Sequence, residues 1–255
     1  MAEKGSSFVW YELMSADVAA AKAFYGKVVG WQVQDMPMPG MTYTLLLADN
    51  AQVGGLMALP QELRAAGMKP PWAAYIEVAD CDSAAAKLQR LGGKVHMPPT
   101  DIPNIGRFAA VADPQGASFN LFKPQQSGER NVSTAPGQVS WHELHAKDWT
   151  QAFDFYREMF GWQKGDAVDM GPMGTYQVFT INGIASGGMF NSPSAASPYW
   201  LMYFNVSEID SGAKRIAEAG GKVMMEPQQV PGGSWIVQAA DPEGIFFALS
   251  GPRKK

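Results

Sequence analysis

The sequence predicts an α+β protein with four β-α-β-β-β units arranged as two tandem domains. The first observation is an internal repeat. At an offset of 131 residues (141 minus 10), Trp10, Glu12 and Asp17 meet identical residues, and the matches continue to Gln32 and its partner Gln163. The second is a later block at an offset of 128 (200 minus 72), where "GGKV" at 92–95 recurs at 220–223. The third is that each half shows the same order of strand and helix signals twice.

The first unit begins with "SFVWYELMSAD", whose alternation is typical of a half-buried strand. Asp17 can then cap a helix over "VAAAKAFYGKVV", which Gly30 ends. The strand-like runs "YTLLLAD" and "VGGLMAL" follow. The Gly pair in "VGGLM", like that in "SGGMF", lacks the Lys and the helix of a phosphate loop, so it predicts close packing of strands.

The second unit repeats this order from the strand "WAAYIEVAD". Asp82 is the predicted cap of the helix "SAAAKLQRL", which stops at Gly92 and Gly93. The strands "KVHM", "GRFAAVAD" and "ASFNLFK" complete the unit. With their copies in the second half, the units cover about 8–59, 72–123, 139–191 and 199–250.

The domain limits follow from the repeat. The first domain is predicted at 1–124 and the second at 138–255, joined by a polar linker at 125–137. Within each half, the register changes where "ALPQELRAAGMKPP" faces the shorter "NSPSAASP". Length variation of this kind is typical of a surface connection.

Composition excludes several classes of protein. The formal net charge of -4, without a Lys/Arg-rich run, argues against nucleic-acid binding. No apolar run approaches the roughly 18 residues that span a bilayer, and "MAEKGSS" lacks the apolar core of a signal peptide. Cys81 is the only cysteine, so an internal disulfide is impossible, and we expect a cytoplasmic protein in which this thiol is inert.

The motifs resemble those of the vicinal oxygen chelate superfamily, which includes glyoxalase I, bleomycin resistance proteins and extradiol dioxygenases. The similarity lies in the opening strand, in the pattern "D…AFY…GW" from Asp17 to Trp31 and from Asp148 to Trp162, and in the "DPxG" turns at 113–116 and 241–244. It implies two tandem glyoxalase/bleomycin-resistance-like domains whose curved mixed sheets enclose cups for a small molecule. It also implies a monomer or homodimer, with units paired within one chain or between chains.

The resemblance further implies three positions for metal ligands in each half. They correspond to Trp10 or Trp141, to Ala73 or Leu201, and to Asn120 or Ala248. Only the amide oxygen of Asn120 is a ligand, and a weak one, for a divalent ion. We therefore predict no metal and no other cofactor, with a divalent Fe, Mn, Ni or Zn ion at a rebuilt site as the alternative.

The segment "WHELH" carries the strongest candidates for chemistry. Side chains alternate along a strand, so His142 and His145 point to opposite faces, whereas Glu143 and His145 share the face of Trp141. A hydrogen bond between these two would make His145 a plausible general base. Its counterpart in the first half is Met14.

Glu12 and Glu143 occupy equivalent positions. Each is either an acid/base group with a raised pKa or a structural carboxylate that accepts a hydrogen bond from backbone or from a Tyr. The predicted catalytic residues are therefore Glu143, His145 and Glu12. The predicted ligand-binding residues lie on the same faces: Trp10, Trp141, Tyr75, Tyr203, Asn120 and Met14.

Three functions are consistent with these residues. The first is a metal-independent protein, resembling the bleomycin resistance group, that holds an apolar or aromatic ligand. The second is an enzyme, either a lyase or isomerase that uses Glu143 and His145 as acid/base groups, or a dioxygenase or hydroxylase with a rebuilt metal site. The third is a chain in which one half keeps a ligand site and the other serves as scaffold.

Overall fold

The computed structural model describes residues 5–38, 40–126, 133–192 and 197–254. The first module contains β1 (Phe8–Ser15), α1 (Val18–Val29), β2 (Gln32–Met38), β3 (Met41–Ala48) and β4 (Ala51–Ala58), and the short α2 (Gln61–Ala65) follows it. The second contains β5 (Ala73–Glu77), α3 (Cys81–Arg90), β6 (Lys94–Ile102), β7 (Gly106–Ala112) and β8 (Ser118–Pro124).

The second half repeats this order. The third module contains β9 (Val139–Ala146), α4 (Trp149–Phe160), β10 (Gln163–Asp169), a 3-10 turn (Gly171–Met173), β11 (Thr175–Ile181) and β12 (Ile184–Asn191). The fourth contains β13 (Tyr199–Asn205), α5 (Ile209–Glu218), β14 (Lys222–Gln229), β15 (Trp235–Ala240) and β16 (Phe246–Gly251). The predicted strand, helix and three-strand order is thus confirmed in all four modules.

The strands form two open, mixed sheets of eight strands each. Their orders are β2-β3-β4-β1-β5-β8-β7-β6 and β10-β11-β12-β9-β13-β16-β15-β14. The first strand of each module pairs in parallel with the last, as β1 does with β4 and β9 with β12, because the helix carries the chain back across the sheet. The α+β class is confirmed. No described helix combines the length and apolar character needed to cross a membrane.

Helix ends follow the local sequence. The side chain of Asp17 accepts from the Ala20 N–H at 3.0 Å, and Gly30 ends α1 in the left-handed conformation at φ 93°. The predicted cap of α3 was wrong. Asp80, with extended backbone, accepts from the Ser83 N–H at 2.7 Å, whereas Asp82 lies in the first turn and pairs with Arg107.

Contacts between residues divide the chain into two compact units. One contains the described residues of 1–9, 73–131 and 141–200, and therefore the second module and most of the third. The other contains those of 10–72, 132–140 and 201–255, and therefore most of the first module and of the fourth. The domain limits at 124 and 138 stay a prediction, and much of the predicted linker, 127–132, lies outside the described residues.

A buried relay connects the modules of the first of these units. The Trp200 indole N–H donates to the Tyr156 hydroxyl at 3.0 Å, and that hydroxyl donates to Asp113 at 3.1 Å. Asp113 also accepts from the N–H groups of residues 115, 116 and 117, although burial raises its pKa. Tyr156, on the helix of the "D…AFY…GW" pattern, and Asp113, in the "DPxG" turn, therefore have structural roles.

The same relay recurs in the other unit. The Trp72 indole donates to Tyr25 at 3.0 Å, and Tyr25 donates to Asp241 at 3.0 Å. The tryptophans that follow the helices are buried as predicted, Trp31 at 4% and Trp162 at 0% exposure. Each indole donates to a backbone carbonyl, Trp162 to Ser6 at 2.8 Å and Trp31 to Gly137 at 2.7 Å.

Candidate functional site

The two faces of β9 differ in chemistry. His142 stacks on Phe8 with ring centroids 3.7 Å apart, and its Nδ1 donates to the Ser186 carbonyl at 2.8 Å. Burial lowers the pKa of His142 to about 4, so this ring is a neutral packing residue. His145 lies instead with Glu143. The prediction that the two histidines face opposite sides is confirmed.

Glu143 and His145 form a buried hydrogen-bonded pair. His145 Nε2 lies 2.9 Å from Glu143 Oε1, and His145 Nδ1 lies 3.2 Å from Ser192 Oγ. Two aromatic side chains hold the imidazole: Tyr199 stacks on it at 4.4 Å and 14°, and Phe190 meets it edge-on at 4.7 Å. Glu143 and His145 are each 6% exposed. We call the face of β9 that carries Trp141, Glu143 and His145 the His145 face.

A second set of hydrogen bonds reaches Glu143 from the other side. The half-buried Trp141 donates its indole N–H to the Tyr176 hydroxyl at 2.8 Å, and Tyr176 is hydrogen-bonded to Glu143. Burial and the nearby Glu143 charge raise the pKa of Tyr176 well above its usual value. Tyr176 therefore stays a neutral donor to the carboxylate.

The first half contains the same set. Trp10 donates to the Tyr43 hydroxyl at 2.8 Å, and Tyr43 donates to Glu12 Oε2 at 2.8 Å. Burial and the charge of Glu12 raise the pKa of Tyr43. We call the face of β1 that carries Trp10, Glu12 and Met14 the Met14 face. In both halves the equivalent Glu thus accepts from a half-buried Tyr, as its structural interpretation predicts.

The Gly pairs make these Tyr positions possible. A Cβ on Gly188 would lie 2.0 Å from Tyr176 Cε1, and a Cβ on Gly55 would lie 2.1 Å from the Tyr43 hydroxyl. The preceding glycines, Gly187 and Gly54, would place a Cβ 2.0 and 2.2 Å from a carbonyl oxygen of the neighbouring strand. Close packing accounts for both pairs, as predicted.

The two faces differ around the imidazole. His145 pairs in register with Phe190, whereas Met14 pairs with Met57. The Ser192 N–H donates to the Ala146 carbonyl at 2.9 Å. The Leu59 N–H makes the equivalent bond to Ser15 at 2.9 Å, so Leu59 stands where the second half has Ser192.

The remaining predicted ligand-binding residues lie on other strands. Tyr75 and Asn120 face each other in the β5–β8 register, and both are mostly buried, at 5% and 8% exposure. The Tyr75 ring contacts Phe108 and Phe122. Tyr203 is 2% exposed, and its hydroxyl accepts from Gln238 at 3.0 Å. Their roles as ligand contacts stay predictions.

Cys81 was predicted to be inert. Burial raises the pKa of the Cys81 thiol to about 11, which disfavours the reactive thiolate at neutral pH.

The positions that the resemblance assigns to metal ligands do not suit a divalent ion. In the second half, the Trp141 side chain has only an N–H group, which donates hydrogen bonds and does not ligate a metal. The side chains of Leu201 and Ala248 have no ligating atom. Across the described ranges, no three His, Cys, Asp or Glu side chains form a group that could hold a metal. Both ring nitrogens of His145 already have hydrogen-bond partners, so a metal ligand role would require Ser192 or Glu143 to move.

The family of the chain follows from comparison with known proteins. The profile of the Glyoxalase/Bleomycin resistance protein/Dioxygenase superfamily matches residues 7–121 and 138–249. The chain therefore belongs to this superfamily, and it carries the family's domain twice.

Individual relatives cover nearly the whole chain. CFP32 of Mycobacterium bovis, whose name includes the word glyoxylase, is 30% identical over 95% of this chain and 94% of its own length. The anthracycline biosynthesis protein DauV of Streptomyces is 30% identical over 94% of this chain and 91% of its own. The fold is similar to that of a Mn(II)-bound glyoxalase from Novosphingobium aromaticivorans, with a TM-score of 0.64, 17% identity, and coverage of 98% and 83%.

Sequence reasoning missed three side chains from other elements that contact the His145 face. They are Tyr176, Ser192 and Tyr199. Tyr176 had a signal, because "TY" at 42–43 recurs at 175–176 with an offset of 133 (176 minus 43). Ser192 and Tyr199 had none, because neither has an identical partner in the first half. Their positions depend on the register of β12 against β9 and on the return of the chain into β13.

Proposed function

We propose that the chain binds a small, flat, hydroxylated molecule on the His145 face, without a metal at the positions that the resemblance assigns. The observation that carries this proposal is the donor set: a half-buried Trp stands where a metal ligand would be required, beside a buried carboxylate. The Trp141 indole offers an aromatic surface for a flat ring.

Glu143 supplies the polar recognition in this proposal. Tyr176 and His145 are hydrogen-bonded to it, and an ionised carboxylate acts only as an acceptor. In the proposed complex a hydroxyl of the ligand donates to the same carboxylate. A site that hydrogen-bonds a hydroxyl discriminates strongly against analogues that lack it.

The ligand class is supported by one relative. The name of DauV places that protein in anthracycline biosynthesis, so an anthraquinone with phenolic hydroxyls is the first probe for this chain. Quenching of tryptophan fluorescence by 2-hydroxyanthraquinone, whose hydroxyl is not adjacent to a ring carbonyl, should saturate with chelator-treated protein, and unsubstituted anthraquinone should bind at least about tenfold more weakly. A requirement for added Mn²⁺, Fe²⁺, Ni²⁺ or Zn²⁺ would refute the proposal, as would stoichiometric metal that survives chelation.

The hydrogen bond between His145 and Glu143, at 2.9 Å, favours a second candidate. In this candidate the pair acts as a general base that removes a proton beside a carbonyl, as a lyase or isomerase requires. Proton NMR of hydroxyacetone in D₂O would then show enzyme-dependent exchange at carbon. Glu143→Gln and His145→Met should each abolish the exchange, and Glu12→Gln, the matched control, should preserve it.

A further inference from the structure

Ser192 places a hydroxyl group at the end of the buried pair. It directly follows β12, and its N–H bond to Ala146 fixes it beside the end of β9. Its side chain is half-buried, whereas Glu143 and His145 are each 6% exposed. The three side chains thus form a continuous line from a buried carboxylate, through an imidazole, to the hydroxyl of a half-buried serine.

The hydrogen bonds assign a direction to this line. A carboxylate only accepts, so His145 Nε2 carries the proton and donates to Glu143 at 2.9 Å. His145 Nδ1 then has its lone pair available, and it lies 3.2 Å from Ser192 Oγ. With the proton on Nε2, the imidazole is oriented to accept the Ser192 hydroxyl proton at Nδ1.

The imidazole is held in this orientation by packing. Tyr199 stacks on it with ring planes 14° apart, and the edge of Phe190 restricts rotation from the side. A nucleophile beside a base, with the base oriented by a third group, is the arrangement that activates a serine hydroxyl. The ring nitrogens are exchanged relative to serine proteases, because here Nδ1 faces the serine and Nε2 faces the carboxylate.

We propose that Ser192 is a nucleophile for acyl transfer from a small carboxylic ester, with His145 as its base and Glu143 as the group that orients and stabilises the imidazolium. Ser192 Oγ bonds to the ester carbonyl carbon, and its proton passes to His145 Nδ1. The bond to the leaving oxygen then breaks, and that oxygen takes the proton from Nδ1. Water releases the acid by the same two steps and restores Ser192. The proposal goes beyond ligand binding, which requires no nucleophile.

The first half provides an internal comparison for this site. Met14 replaces the base and Leu59 replaces the nucleophile, although Glu12 and Tyr43 remain hydrogen-bonded. Leu59 is held by the equivalent backbone hydrogen bond, because its N–H donates to the Ser15 carbonyl as that of Ser192 donates to Ala146. Met14 precedes Ser15 as His145 precedes Ala146. The Met14 face therefore lacks both the base and the nucleophile and cannot accept an acyl group.

Covalent labelling with phenylmethylsulfonyl fluoride tests the proposal. Ser192 Oγ displaces fluoride, so peptide mass spectrometry should find one sulfonyl adduct per chain, located at Ser192. Ser192→Ala should remove the adduct. His145→Met and Glu143→Gln should each slow its formation at least roughly a hundredfold, since a positioned general base contributes about 10²–10⁴-fold. Ser211→Ala, which changes an exposed serine on α5, should label at the wild-type rate.

The catalytic cycle is measured with p-nitrophenyl acetate. The expected result is a burst of one p-nitrophenolate per chain followed by slower turnover, absent in Ser192→Ala. Each variant is first checked for the wild-type thermal unfolding transition and circular dichroism spectrum. A folded wild-type protein without adduct or burst would overturn the proposal, and so would an adduct at another residue or a labelling rate unchanged in His145→Met. Binding of 2-hydroxyanthraquinone is measured in parallel, so failure of the nucleophile is distinguished from failure of the binding site.

Discussion

The His145 face and the Met14 face share one set of residues and differ in another. Both hold a Trp–Tyr–Glu relay with hydrogen bonds of 2.8 Å from indole to phenol. Only the His145 face adds an imidazole, with Ser192 and Tyr199 around it. The shared residues hold the buried carboxylate in both halves, and the unshared residues occur only in the second half. The predictions that follow separate these two contributions.

The largest effect on stability is expected from substitutions beside the Trp–Tyr–Glu relay, which both faces share. Gly188→Ala and Gly55→Ala place a methyl group about 2 Å from Tyr176 and Tyr43, so each Tyr must leave its Glu. We expect each variant to lose about 3 kcal/mol of unfolding free energy in urea titrations. Gly26→Ala, within α1, is the control, because its Cβ would lie 3.4 Å from the nearest atom, the Trp31 carbonyl oxygen, and it should lose no stability. A loss confined to one half would contradict the equivalence of the relays.

The opposite side of β9 provides a pH-dependent difference. His142 has its pKa lowered to about 4 in the folded chain by burial, against about 6.5 in the unfolded chain. The unfolded state therefore binds the proton first. The stability that the neutral His142 contributes to the folded chain is fully present above pH 6.5, and about 3 kcal/mol of it is lost as the pH falls towards 4.

Tyr11 occupies the equivalent position in the first half and does not titrate in this range. Urea unfolding of His142→Tyr should thus show a flatter dependence on pH between 6.5 and 4 than the wild-type protein. Equal slopes for the two proteins would contradict the lowered pKa, because they would show that His142 binds its proton over the same pH range in the folded and unfolded chains.

Ligand recognition should separate the two carboxylates. Glu143→Gln should weaken binding of 2-hydroxyanthraquinone at least about tenfold, or roughly 1.4 kcal/mol, because the amide presents one donor where the ligand hydroxyl needs an acceptor. Glu12→Gln makes the same change on the Met14 face and should leave the affinity unchanged. Fluorescence titration of both variants measures the difference, and equal losses would place ligand on both faces.

The smallest effect is expected from making the faces alike. Removing a hydrogen-bond partner of a buried carboxylate ordinarily costs about 1–3 kcal/mol or more. Glu12 already lies beside Met14 with Tyr43 as its donor, so His145→Met reproduces an environment that the chain tolerates. We expect it to change the unfolding free energy by at most about 1 kcal/mol while it slows labelling of Ser192 at least roughly a hundredfold. A loss above about 2 kcal/mol would show that the imidazole is structural.

Local signals in the sequence predicted the local structure. The caps at Asp17 and Gly30 follow from nearest neighbours, and strand alternation separates His142 from His145. The cap of α3 was misplaced because Asp80 and Asp82 are both near the start of the helix. The choice depends on the extended backbone of Asp80 and on Arg107, a distant partner that Asp82 contacts.

The site itself was only half predictable. Glu143 and His145 lie two apart on one strand, so their shared face could be read directly from the sequence. Ser192, Tyr176 and Tyr199 reach them through strand register and chain reversal, which alternation does not encode. The grouping of the second module with the third, and of the first with the fourth, also depends on contacts distant in sequence, such as that between Tyr156 and Asp113.

The central claim is that the His145 face alone binds ligand, and does so without a metal. Isothermal titration calorimetry of chelator-treated protein with 2-hydroxyanthraquinone tests it most directly, with metal content measured on the same sample. One equivalent per chain, bound by protein free of divalent metal, is the predicted result. Two equivalents, or binding that appears only after a divalent metal is restored, would contradict it.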